Sequence, residues 1–95
     1  SLILENEIQK TRTIKDKTQE KLEQLNEKIK ELQQREEEIE SQEQEIEDQI
    51  KRLGGNRELE EKRWKVEEQR KEIKKERWQI EDEQKKTTEE LKLIE

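Results

Sequence analysis

The chain has 95 residues, of which 53% are Asp, Glu, Lys or Arg and only 23% are hydrophobic, and its net charge is −6. An ordinary globular domain is nearer half apolar and a quarter charged, so this composition excludes a conventional packed core and with it most enzymes. The near balance of 22 cations against 28 anions and the absence of Pro argue for helix rather than for a disordered polyelectrolyte.

The first predicted element is a long helix over residues 1–53. With Ile8 as position a of a heptad, a falls on Ile8, Lys15, Leu22, Ile29, Glu36, Glu43 and Ile50. Position d then falls on Leu4, Thr11, Thr18, Leu25, Leu32, Ile39, Ile46 and Leu53, all apolar or Thr. Alternating spacings of three and four over seven heptads specify a coiled-coil seam.

A turn is expected at 54–56. Gly54-Gly55 is the sole interruption of the pattern, and a Gly pair inside a helix is costly enough to mark a break. Lys51 and Arg52 suit a helix C-terminus, Gly54 the position just beyond it, and Asn56 the N-cap of a new helix. The same pair would also serve as a linker between two helices that are natural partners.

A second helix is expected over 57–95. Leu59, Val66, Ile73, Ile80, Thr87 and Ile94 are seven apart and read as d, which puts Arg63, Arg70, Arg77, Gln84 and Leu91 at a. The two heptad frames do not join, because seven beyond Leu53 is Glu60 rather than Leu59. A continuous helix would have to shift its seam there, whereas a reversal needs no common phase.

Charge decides between the two. If the chain folds back at Gly54-Gly55, Glu43 falls between Arg63 and Arg70, and Glu36 between Arg70 and Arg77. Residues 31–50 carry nine acids and one base, a net of −8, and face residues 59–78 with eight bases and six acids, a net of +2. In a parallel in-register dimer the same seam residues meet their own copies, which like-charge repulsion disfavours. The expected fold is therefore all-α: a two-helix antiparallel coiled coil turning at Gly54-Gly55 and associating further into a dimer. Exchange of helices between two chains would use the same contacts.

The candidate site residues concern partners rather than chemistry. Trp64 and Trp78, the only aromatics, lie two heptads apart at position b, about 21 Å along one face. They read as a docking surface, as the contact between two hairpins, or as rings lying over Lys and Arg stems. Leu2, Ile3, Leu4 and Ile8 overhang the shorter second helix and read equally as an apolar end that invites pairing with a partner or as the mate of a segment outside these 95 residues. Seam charge pairing is assigned to Glu36, Glu43, Arg63, Arg70 and Arg77.

No catalytic, cofactor-binding or metal-binding residue is expected. With no His and no Cys there is no Ser-His-Asp arrangement, no thiolate metal site and no disulfide framework. The runs Glu36-Glu37-Glu38 and Glu43 to Asp48 lack the Gly-containing spacing of a calcium loop and read as a solvated acidic face. Gly54-Gly55 lacks the Lys-Ser/Thr of a phosphate loop. No apolar run reaches the 18 or so residues of a membrane span. The clusters Lys62-Arg63, Arg70-Lys71 and Lys74-Lys75 could touch phosphates, but the surrounding glutamates and the net charge disfavour nucleic acid.

These readings converge on a structural coiled-coil segment of a larger scaffold, tether, cytoskeletal or motor-adaptor protein, intracellular in cytoplasm or nucleus. Its expected partners are a second copy or another coiled-coil protein, with no small molecule and no membrane insertion. The start at Ser1 rather than Met reads as a segment of a longer protein. In architecture alone the pattern resembles the coiled-coil arms of SMC-type ATPases and the helical arm of some tRNA synthetases. That resemblance implies the alternative function, an arm of a larger nucleic-acid-acting enzyme, and implies no particular site residue.

Overall fold

The computed structural model describes Ser1–Ile94. Glu95, the last residue of the expected second helix, lies outside the described residues. Two long helices pack against each other: α1 spans Leu2–Leu53 and α2 spans Arg57–Ile94.

Local signals explain their ends. The Ser1 hydroxyl accepts the Leu4 N–H at 3.3 Å and caps α1. At the other end Gly54 adopts φ +81°, and its N–H donates to the Ile50 carbonyl at 2.9 Å. This is the single-bond left-handed helix stop, which glycine enters without the steric penalty of a Cβ. Lys51 and Arg52 lie in that last turn, against the negative end of the helix dipole. Two residues later Asn56 caps α2, its Oδ1 accepting the Leu59 N–H at 2.9 Å, and Glu58 and Glu60 occupy the first turn.

The residues form two compact units, each built from a piece of both helices. One comprises 30–78 and contains the turn. Its core is Leu32, Ile39 and Ile46 from α1 with Leu59 and Ile73 from α2; Leu32 is fully buried. Val66 and Ile50 are half-buried at the flanks. The unit is a helical hairpin, for the cross-helix ion pairs match Glu47, Glu43 and Glu36 with Arg63, Arg70 and Arg77, numbers falling on α1 as they rise on α2.

The other unit comprises, among the described residues, 1–29 and 79–94. Leu25, Ile29 and Thr87 are buried there, and Leu22, Ile80, Leu91 and Ile94 are half-buried. Gln84 Nε2 donates to Asn26 Oδ1 at 2.6 Å across the helices. Residues 2–14 of α1 are exposed throughout.

Leu53 departs from the expected seam. It stands at position d in sequence but is largely exposed. The chain turns away immediately after it, so no apolar residue of α2 precedes Leu59 to cover it.

Candidate interaction surface

The candidate interaction residues fall into three groups: ion pairs along the seam, an outward face of α2 carrying both tryptophans, and the exposed apolar start of α1.

The ion pairs grade in exposure. Arg77 Nε donates to Glu36 Oε2 at 2.9 Å, and both side chains are only about a fifth exposed, 21% and 20%. Arg70 Nη1 donates to Glu43 Oε2 at 3.3 Å in a wetter position. The second oxygen of that carboxylate, Glu43 Oε1, is buried without a hydrogen-bond partner. Arg63 Nη2 lies 2.6 Å from Glu47 Oε1, and Arg63 Nη1 lies 3.4 Å from Glu60 Oε1. Attraction to the Glu47 carboxylate, reinforced by Glu60 and opposed by partial desolvation, holds the Arg63 guanidinium above its ordinary pKa. A raised cation pKa contributes stability below the unfolded value and loses it only as pH rises through the folded one. Arginine titrates so high that the Arg63 guanidinium stays charged across the working range.

Of the five seam residues read from sequence, the structure brings together Glu36 with Arg77 and Glu43 with Arg70. Each glutamate has two flanking arginines in the heptad register and pairs here with the later one. Arg63 differs, taking Glu47, one position outside the a/d frame. The signal for Glu47 was its place beside the seam, at position e, but which flanking carboxylate an arginine reaches depends on side-chain direction, which heptad lettering omits. Arg63 and Arg70 also lie at the wet rim of the seam rather than inside it, their guanidinia held outward by the carboxylates.

Trp64 and Trp78 are 63% and 57% exposed. Lys74, one turn before Trp78, places its Nζ 5.3 Å from that ring's centroid, a cation–π contact. Leu2, Ile3, Leu4 and Ile8 are all exposed, as is Ile14. Among the described residues no carboxylate cluster is arranged to hold a metal ion, and no helix is long and apolar enough to cross a membrane. An open groove between the helices is lined by Glu43, Ile46, Glu47, Arg63, Glu67 and Arg70, all but Glu67 belonging to the seam contacts and core just described.

No family model, curated protein or solved structure matches this chain.

Proposed function

We propose that the chain is a structural coiled-coil element of a larger scaffold, tether, cytoskeletal or motor-adaptor protein. In this reading it is an antiparallel coiled coil that acts by stiffness and by specificity of pairing. The observation that carries the reading is the graded ladder of Arg–Glu pairs beside an apolar stripe of Leu and Ile. Apolar residues supply non-directional attraction, while charges beside the seam decide orientation and register. A chain with half its residues charged spends few side chains on a core, which suits an element whose task is to hold other modules apart.

The test is a charge swap. Reversing Glu36 and Glu43 to Arg should lower helicity by circular dichroism and the melting temperature. Adding Arg70→Glu and Arg77→Glu to that variant should restore both. Reversal without effect on the melt would contradict pairing by charge, as would failure of the four-fold swap to rescue a destabilised variant.

A further inference from the structure

The seam of α1 continues beyond its cover. Toward the N-terminus the heptad runs on with Leu4, Ile8 and Thr11 at d, a and d, flanked by Ile3 and Ile14. From Leu22 to Ile50 every apolar a or d residue of α1 is buried or half-buried. Ile3, Leu4, Ile14 and Ile8 are instead 76%, 59%, 55% and 47% exposed. At 3.6 residues per turn these four and Thr11 fall within an arc of about 140°. Leu2 lies off that arc. Thr11 suits an apolar stripe because its hydroxyl already donates to the Glu7 carbonyl at 3.0 Å, which leaves its methyl group to pack.

The charges beside the stripe are sorted by sign along the chain. Glu5 and Glu7 come first, Lys10 and Arg12 second. Among the described residues none of the four takes part in an ion pair. Glu5 and Arg12 share position e, on one side of the stripe. Glu7 at g and Lys10 at c lie on the other side, with Ile14 at g and Ile3 at c. Two such segments running antiparallel bring e against e and the g side against the g side. With Ile8 of each copy at the two-fold axis, Glu5 falls against the partner's Arg12 and Glu7 against the partner's Lys10. The same register sets Ile3 against the partner's Ile14. Parallel and in register, each charge would meet its own copy.

We propose that residues 2–14 of α1 are the docking site for the same residues of a second copy of this chain, paired antiparallel about a two-fold axis at Ile8. This names the partner of the structural element proposed above and rests on that reading. The contact is isologous: one surface meets its own copy, and no other face of the molecule has to take part. The partner's segment lies along the stretch of seam, about 20 Å long, that α2 leaves bare. Apolar residues supply the attraction, and four ion pairs, two from each copy, fix direction and register. An anionic lipid surface would attract Lys10 and Arg12 but repel Glu5 and Glu7, whereas a second copy satisfies both signs.

The test uses the whole chain in sedimentation over a wide concentration range. Wild type should dimerise. Ile8→Asp should sediment as a monomer, while Leu53→Asp and Trp64→Ala/Trp78→Ala should dimerise as wild type does. Glu5→Lys/Glu7→Lys and Lys10→Glu/Arg12→Glu should each weaken self-association by on the order of tenfold. Mixed one to one they should recover at least wild-type affinity, because all four contacts again join opposite charges. A wild-type chain that stays monomeric, a dimer indifferent to Ile8→Asp or lost with the indoles, charge variants that associate as well as wild type, or a mixture no tighter than its components would overturn the proposal. So would a monomeric chain that binds phosphatidylserine vesicles through Ile8. Helicity and an intrachain crosslink between Cys introduced at positions 46 and 63 report the hairpin separately. Their persistence in a monomer assigns the failure to the docking site alone, and their loss assigns it to the coiled-coil reading.

Discussion

At the scale of single residues, desolvation separates contacts that look alike on paper. Glu36–Arg77 and Glu43–Arg70 are both seam pairs, yet the first is shorter and far less exposed. Exposed pairs are screened by water and contribute little, so a double-mutant cycle to Ala should give a coupling of about 1 kcal/mol for Glu36–Arg77 and roughly half that for Glu43–Arg70. Urea melts at fixed protein concentration measure both, and equal couplings would argue against this ordering. Thr87 is the converse case. It is buried completely, and its hydroxyl oxygen has no hydrogen-bond partner. An unsatisfied buried hydroxyl is destabilising, and Val has nearly its shape without the polar atom. Thr87→Val should therefore raise stability by about 1 kcal/mol, seen as a higher melting temperature by circular dichroism. Leu32, fully buried in the other unit, should be among the least tolerant positions, with Leu32→Ala costing about 2–5 kcal/mol in the same melt.

At the scale of elements, the turn concentrates the information. Gly54 and Gly55 are chemically identical neighbours with different roles. Gly54 has the positive φ, while Gly55 does not, and a methyl group on Gly55 would sit at an ordinary 3.7 Å from Glu60 Oε1. Forcing an L side chain into the left-handed region costs about 1–2 kcal/mol. Gly54→Ala should therefore destabilise by about that amount, whereas Gly55→Ala should be neutral or stabilising by a few tenths. Thermal melts of the two variants compare them directly. Asn56→Ala should cost about 1 kcal/mol through the lost cap on Leu59.

The helices were legible in the sequence because no Pro occurs and only one Gly pair does, and because the apolar residues keep a heptad on either side of it. Fold-back was legible because the two frames fail to join and the charged residues at a are opposite in sign. Two features were not. Leu53 satisfies the heptad yet is exposed, since periodicity says which face a residue occupies but not whether anything lies opposite it. The choice of Glu47 by Arg63 is a matter of reach across the interface, which lettering by position cannot contain.

At the scale of the whole molecule, an unusual share of the specificity falls to charge. With 53% charged and 23% hydrophobic residues, mutual attraction of apolar side chains alone would leave orientation weakly determined. Raising salt should accordingly lower the melting temperature at first, because exposed pairs are screened over a Debye length of about 8–10 Å at ordinary ionic strength. The chain contains no Cys, so engineered thiols report without background. Cys introduced together at positions 46 and 63, which line one groove between the helices, provides the most direct test of the fold-back. Under mild oxidation at high dilution, the antiparallel hairpin predicts a disulfide within one chain, recovered as a monomer two mass units lighter. Bridging of position 46 only to position 46 of another chain would contradict it.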